Sequence, residues 1–347
     1  MDVIDPCVFV FGMMGFFLWE NMDRNFLNEL ELFNGILYIC LRQHNVDNIR
    51  QISGGACHHY DGLYSTNFGW CLSPYIGGWV MPELPEMETY KSLLSSLIVG
   101  QKITSVTIQR EKSINLPVDT FMRQVTNQTI ISVRRRAKYL IFQLKNGSCL
   151  LLHLMLGGLM FFGKEEDKPN RTIQVKLSFG EQHLYFIGLR LGYLHLLSQE
   201  SIQEEFEKLG PEPLSPHFTL DNFQQLMQKR KGNIKTTLIN QEVLAGIGNG
   251  YSDEILWHSQ IRPDKKISDL DEQQLSKVYE SIQFILQKGI REGGYMENPL
   301  YKGDGKTGRY IFYVHDREGE PCSRCRTQIV KKEIASRKTY FCQSCQN

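Results

Sequence analysis

Met81-Pro82-Glu83-Leu84-Pro85-Glu86-Met87-Glu88-Thr89 reads like the opening of a protein, yet 80 residues precede it in this 347-residue chain. Behind it, apolar Met87, Tyr90, Leu93, Leu94, Leu97 and Ile98 recur at helical spacing and Gly100 supplies a stop, which predicts one amphipathic helix over 86–98. The position of Pro82 decides the chemistry. An internal proline nitrogen is a tertiary amide whose lone pair is delocalised into the carbonyl. A terminal proline is a secondary amine, able to attack an aldehyde-like sugar carbon and form an iminium.

Working outward, composition changes at the same place. Residues 1–80 carry three basic side chains (Arg24, Arg42, Arg50) against eight acidic ones, net −5, and no lysine. That leaves 36 basic and 30 acidic side chains, net +6, in residues 81–347, the balance expected of a protein that meets phosphate. The apolar run 6–19 has 14 residues, too few to span a bilayer, and follows Asp2 and Asp5 instead of the positive charges of a signal peptide. The first 80 residues are therefore read as an extension that is mis-assigned, removed or poorly structured, with a genuine extra domain as the alternative. No membrane association is expected. Cys7, Cys40, Cys57, Cys71 and Cys149 have no metal-like spacing and read as ordinary thiols of a reducing, cytoplasmic compartment.

Past the first helix the pattern turns to strands near 102–109, 129–135, 138–145, 148–156, 171–179, 183–187 and 192–197, so a β-sandwich packed on that helix is predicted. Asn146-Gly147 between two apolar runs signals a two-residue type I′ hairpin. Gly210-Pro211-Glu212-Pro213 breaks the chain, and helices are predicted over about 219–229, 234–241, 251–259 and 271–290. Among them lies Ala245-Gly246-Ile247-Gly248-Asn249-Gly250, either a plain helix connector or a turn whose amides grip phosphate.

The tail carries Cys322-x2-Cys325-x16-Cys342-x2-Cys345. Four thiolates in two pairs suit one tetrahedral Zn²⁺ with a closed shell, a structural site with no open position for substrate. Twenty-six residues from Cys322 to the end hold too little core to fold unaided, and the metal would supply the missing free energy. Lys331, Lys332, Arg337 and Lys338 between the pairs make this hairpin a DNA contact.

These pieces, in this order, resemble the formamidopyrimidine-DNA glycosylase family over 81–347 and not over 1–80. The similarity rests on Pro82 to Thr89, Arg135-Arg136-Ala137-Lys138-Tyr139-Leu140, Leu209-Gly210-Pro211-Glu212-Pro213-Leu214, Gly246-Ile247-Gly248-Asn249 with Tyr251, Gly319-Glu320-Pro321-Cys322 and Ser336-Arg337. The resemblance implies an α+β multidomain fold: a helix plus β-sandwich catalytic domain (81–209), a helix-two-turns-helix DNA-binding domain (210–300) and a β-hairpin zinc finger (313–347). It implies a bifunctional DNA glycosylase and AP lyase that excises oxidised bases through an N-terminal proline iminium, then cleaves the strand by β,δ-elimination. Pro82 would be the nucleophile after loss of Met81, Glu83 the acid that opens the sugar, Glu86 a second proton-transfer group, and Lys138 the lysine beside the lesion phosphate. His153, Asn249 and Arg337 match further phosphate contacts, Tyr251 of the matched glycine-turn motif is expected among the DNA-binding residues, and Lys235 is a weaker candidate for the same phosphate track. The expected partner is double-stranded DNA with damaged bases, met by a monomer, nucleoid-associated if bacterial.

The chain departs from the family at the side chains inserted into the duplex. Leu156 stands at the usual methionine position, one residue after Met155, while Leu189 and Leu191 stand where arginine and phenylalanine are expected. Apolar wedges thus remain, and only Arg190 could replace the missing guanidinium. The segment 303–315, where relatives carry a lesion-capping loop, reads as shortened. The rival function is a catalytically silent binder of damaged or abasic DNA with Pro82 buried in the chain, and a third is an endonuclease VIII-like enzyme for oxidised pyrimidines.

Overall fold

The computed structural model describes residues 81–347, together with four two-residue strands ahead of them. β1 (Leu32–Phe33) pairs with β2 (Ile36–Leu37) and β3 (His59–Tyr60) with β4 (Leu63–Tyr64), both antiparallel. The other residues before 81, and with them most of the expectation about the extension, lie outside the described residues. Residues 81–347 belong to one compact unit.

Helix α1 (Leu84–Ile98) starts two residues earlier than its apolar period indicates, because Glu83 acts as N-cap and its N–H donates to Glu86 Oε2 at 2.9 Å. Its apolar face bridges two cores. Met87, Tyr90, Leu93, Leu94 and Ile98 pack into the sandwich, while Leu84 joins the helical domain.

The sandwich consists of two antiparallel four-stranded sheets. One, in the order β5-β10-β11-β9, contains β5 (Ser105–Ile108), β9 (Leu159–Gly163), β10 (Ile173–Phe179) and β11 (Gln182–Ile187). The other, in the order β12-β8-β7-β6, contains β6 (Ile130–Arg136), β7 (Tyr139–Leu144), β8 (Cys149–His153) and β12 (Tyr193–Leu197). Alternation decides the faces: Leu140, Phe142, Leu150 and Leu152 enter the shared core, and Ile141, Cys149 and Leu151 point the other way.

Three elements were absent from the sequence reading: α2 (Val118–Val125), β9 and α3 (Gln199–Phe206). α3 covers the outward face of the second sheet with Ile202 and Phe206, which explains why β7 and β8 are apolar on both faces. The Asn146-Gly147 hairpin forms, but not with a type I′ turn. Only Gly147 has positive φ (91°), and Gly147 N–H donates to Leu144 O while Leu144 N–H donates to Ser148 O, the pattern of a type I turn closed by a glycine bulge.

The helical domain comprises α4 (Leu220–Gln228), α5 (Ile234–Ile239), α6 (Asn249–Ser259) and α7 (Glu272–Arg291). Thr219, Asn233 and Asp271 cap three of them through their side chains. α6 is buried along nearly its whole length. The tail forms the hairpin β13 (Val330–Ile334) and β14 (Arg337–Phe341). Among the described residues, no helix is long and apolar enough to cross a membrane.

Candidate active site and nucleic-acid interface

The site is assembled around the N-terminus of α6. Gly248 N–H donates to Glu83 Oε2 at 2.5 Å and Gly250 N–H to Glu83 Oε1 at 2.9 Å, so the carboxylate sits on the positive end of the helix. The glycines are required for this approach: a Cβ on Gly248 would lie 2.5 Å from Glu83 Cδ and 2.7 Å from Lys138 Nζ. These contacts correct one expectation, since the glycine turn spends its amides on Glu83 and not on phosphate. Leu84 N–H to Gly246 O at 3.0 Å completes the seam between α1 and the turn.

Glu86 lies behind Glu83. Its Oε1 accepts from the Tyr251 hydroxyl (2.8 Å) and from Tyr295 N–H (2.9 Å). Burial, reinforced by the charge of Glu83, pushes its carboxyl up to about 7. A group that titrates near neutrality beside a candidate nucleophile is suited to proton transfer. Pro82 is buried at the front of this pair, its nitrogen bonded to Met81, whose carbonyl accepts from the Tyr295 hydroxyl at 3.2 Å.

Lys138 enters from the turn between β6 and β7, where Ala137 adopts φ +52°. That turn is clamped by Glu212: Arg135 and Arg136 pair with it at 2.8 and 3.1 Å, and Ala137 N–H donates to it at 2.5 Å. Arg135 also pairs with Glu88 of α1 at 2.6 Å. Among the described residues, Lys138 Nζ has no hydrogen bond or ion pair. Burial lowers its basicity while the charges of Glu83 and Glu86 raise it, with a net downward shift.

The remaining expected DNA residues divide. Asn249 donates from Nδ2 to Lys338 O at 2.8 Å, and its Oδ1 is buried without a partner among the described residues. Arg337 is exposed, close enough to Lys138 for its charge to be felt there. It is presented by the β13–β14 turn, where Ala335 and Ser336 have φ of 47° and 59°; the type I′ geometry missing at Asn146-Gly147 is found here, without glycine. His153 packs against Tyr139 (4.2 Å between centroids) and Tyr193 (5.9 Å). Burial, then the Lys138 charge, pushes its imidazole down to about 4, so it is neutral at pH 7.

Two residues expected to meet DNA are buried and have partners within the protein. Lys235 is fully buried, its ammonium held by Asp253 at 2.6 Å and by Asn249 O at 2.9 Å, out of reach of a phosphate. Tyr251 is also fully buried, and its hydroxyl serves Glu86. The wedge expectation changes as well: Leu189 is in the sandwich core, whereas Leu191 is 61% exposed. Met155 (φ +53°) and Leu156 are half-buried, and Arg190 is exposed on the same loop as Leu191, its carbonyl accepting from Arg110 at 3.1 Å.

Sequence reasoning missed Asp253, Glu254 and His315. Glu254 accepts from the N–H groups of Tyr313, Val314 and His315 at 2.7–3.1 Å, and Asp253 pairs with His315 Nδ1 at 2.7 Å, fixing the segment that leads to the hairpin. The Asp-Glu pair at 253–254 inside an apolar helix was the available signal.

The four tail thiols gather with all Sγ atoms within 4.8 Å of one another; the pairs Cys322–Cys345 and Cys325–Cys342 stand at 3.9 and 3.4 Å. Zinc–sulfur bonds of about 2.3 Å in a tetrahedron separate sulfurs by about 3.8 Å, so the cluster fits one structural Zn²⁺. Trp257 Nε1–H donates to Cys322 Sγ at 3.4 Å, and Arg324 caps the end of α6 through Trp257 O and His258 O.

Comparison with known proteins gives three matches in series: the formamidopyrimidine-DNA glycosylase N-terminal domain over residues 81–193, the formamidopyrimidine-DNA glycosylase H2TH domain over 209–298, and the zinc finger found in FPG and IleRS over 319–347. Formamidopyrimidine-DNA glycosylases of Pelotomaculum thermopropionicum and Listeria innocua are each 34% identical over 274 residues, spanning 77% of this chain and 99% and 100% of theirs. Among solved structures, the Lactococcus lactis Fpg in complex with abasic-site DNA is similar at 33% identity and TM-score 0.72, over 76% of this chain and 99% of that one. The same wild-type enzyme in complex with DNA containing a benzylated Fapy-dG gives 33% and 0.72, over 77% and 100%.

Proposed function

We propose a function from this premise: the chain belongs to the formamidopyrimidine-DNA glycosylase family. The reading is a base-excision repair enzyme that removes oxidised bases from double-stranded DNA, formamidopyrimidine first and 8-oxoguanine second, and cleaves the strand. It acts as a monomer in the cytoplasm or on the nucleoid, with the sandwich (81–209) doing the chemistry and the helical domain (210–300) and finger (313–347) holding DNA. The observation that carries it is the convergence of Glu83, Glu86 and Lys138 on the first turn of α6, with Glu83 held there by two amides and Pro82 next to it in the chain.

Once freed of Met81, the Pro82 amine has an unperturbed pKa near ~8, so a useful fraction is neutral at physiological pH. Its lone pair attacks C1′ as the bond to the base breaks, the departing base takes up a proton and the amine gives up its own, and the iminium forms when the C1′–O4′ bond then breaks. Glu83 delivers a proton to the ribose ring oxygen as the sugar opens. Glu86, titrating near 7, takes up and returns protons behind it. Loss of the 3′ and then the 5′ phosphate leaves a one-nucleotide gap. Lys138 and Arg337 meet the phosphates as cations, while neutral His153 and Asn249 donate hydrogen bonds. Leu156 and Leu191 serve as the apolar wedges beside the flipped nucleotide, and Arg190, on the same loop as Leu191, is the candidate to take the role of the missing arginine.

Two of these four phosphate contacts are charged, and counterion release counts charge. Log affinity against log salt should therefore have a slope of about −2.

A second reading has its own observation. In the chain as it stands, Pro82 nitrogen is an amide and the Met81 carbonyl is seated on Tyr295, which describes a silent binder of damaged DNA. Borohydride trapping on an abasic duplex separates the two. The portion tested folds on its own, since residues 81–347 belong to one compact unit and the matched relatives consist of this part alone. A chain beginning at Pro82 should form the adduct and nick DNA carrying formamidopyrimidine, and the intact chain should bind without trapping. Preference for thymine glycol over formamidopyrimidine would move the assignment to the endonuclease VIII type.

A further inference from the structure

Tyr295 follows Gly293 and Gly294, both at φ +75°, immediately after α7. This backbone turns the residue into the site, where it makes two contacts. Its N–H holds Glu86, and its hydroxyl donates to the Met81 carbonyl at 3.2 Å. That carbonyl oxygen is two covalent bonds from the Pro82 nitrogen, which places the phenol oxygen within about 6 Å of the nitrogen. The ring packs against Tyr251 and Phe312, at 5.7 and 4.4 Å between centroids.

Removal of Met81 takes away the hydroxyl's acceptor. We propose that the Tyr295 phenol is a positioning residue for the Pro82 amine: in the chain that begins at Pro82 it donates its hydrogen to the amine lone pair and holds the nucleophile neutral and oriented. The proposal rests on the reading of Pro82 as nucleophile. Chemically, a hydrogen bond to the uncharged form of a base disfavours its protonation. The phenol can supply that hydrogen across the working range, because burial and the charges of Glu83 and Glu86 keep its own ionisation well above the ordinary tyrosine value.

The charged and titratable groups that bear on the phenol are Glu83 and Glu86 on α1, Tyr90 one turn beyond and Asp316 before the hairpin, with Tyr251 of α6 against its ring and Lys138 of the β6–β7 turn coupled to the two glutamates. The two carboxylates pull a proton onto the amine; Lys138 and the phenol oppose them. Tyr295→Phe removes one opposing group and keeps the ring packing and the N–H to Glu86.

The test is borohydride trapping on an abasic duplex from pH 5.5 to 9.5, with the chain beginning at Pro82 and its Tyr295→Phe variant. The proposal expects the variant's profile to move to higher pH by about one unit, so that trapping at pH 7 falls about tenfold and is restored by pH 9. Tyr251→Phe, which removes a hydroxyl from Glu86 and none from Met81, serves as the control and should not give this alkaline shift. If Tyr295→Phe does not fold, Tyr295→Met supplies a second hydroxyl-free side chain. A parent that does not trap overturns the proline nucleophile itself. A parent that traps, with a Tyr295 variant unchanged or lowered by one factor at every pH, overturns the role of the phenol alone.

Discussion

The two ends of α6 hold the two functional parts of the molecule by opposite means. At its N-terminus the helix takes a carboxylate, Glu83, onto two amides. At its C-terminus the Arg324 guanidinium caps the last carbonyls, and the Trp257 indole reaches the metal-site sulfur of Cys322. Both arrangements follow the helix dipole. They differ in what they do for stability. The first end crowds Glu83, Glu86 and Lys138 into a buried space, and the upward shift of Glu86 records that cost. The second end offers thiolates to a cation whose binding folds the hairpin. Charge is thus uncomfortable at the first end and neutralised at the second.

Stripping the metal should give the largest effect. Structural zinc in small fingers contributes on the order of 10 kcal/mol, so chelation or Cys342→Ser should unfold the hairpin and remove Arg337 from the DNA. Affinity for abasic duplex should drop at least about 100-fold, while calorimetry shows the sandwich melting as before. Retained affinity without zinc would break the contrast. The next effect, at the other end, is chemical. Glu83→Gln keeps an acceptor for the Gly248 amide but cannot protonate the sugar, and single-turnover strand cleavage should slow by ~10²–10⁴ with DNA binding intact.

A subtler signature comes from Glu86. Its folded carboxyl is raised from 4.5 to about 7. The stabilisation from its protonated form is therefore complete below pH 4.5 and lost as pH rises through 7. Urea melts of the wild type, compared with Glu86→Gln, should show this slope of about 3 kcal/mol only when the carboxyl is present. The smallest change sharpens the finger end: Ser336→Gly relieves a positive φ of 59° and should stabilise the hairpin by up to ~1 kcal/mol, seen as a modest rise in its melting temperature.

Much of this was legible in the sequence because the signals are local. Cysteine spacing announces the zinc site without reference to anything distant, and the apolar period of α1 stands on its own. The glycine turn was ambiguous for a physical reason: its amides find their acceptor, Glu83, 165 and 167 positions away. The partners of Lys235 and Tyr251 were hidden for the same reason, since a lysine that looks available in sequence is paired with Asp253 one helix later. α3 was missed because it is short and polar, with Ile202 its one fully buried apolar residue. Pairing of Asp253 and Glu254 with the segment before the hairpin is a tertiary event that no period or motif encodes.

The central claim is that the reactive atom is the Pro82 nitrogen, seated against Glu83 at the head of α6. The most direct test is peptide mapping by mass spectrometry of the borohydride-reduced protein–DNA adduct. The account predicts the sugar remnant on the N-terminal peptide, at Pro82, in a chain that begins there. An adduct on Lys138 or another lysine, or an equal yield from the intact 1–347 chain with its Met81–Pro82 bond verified, would contradict it.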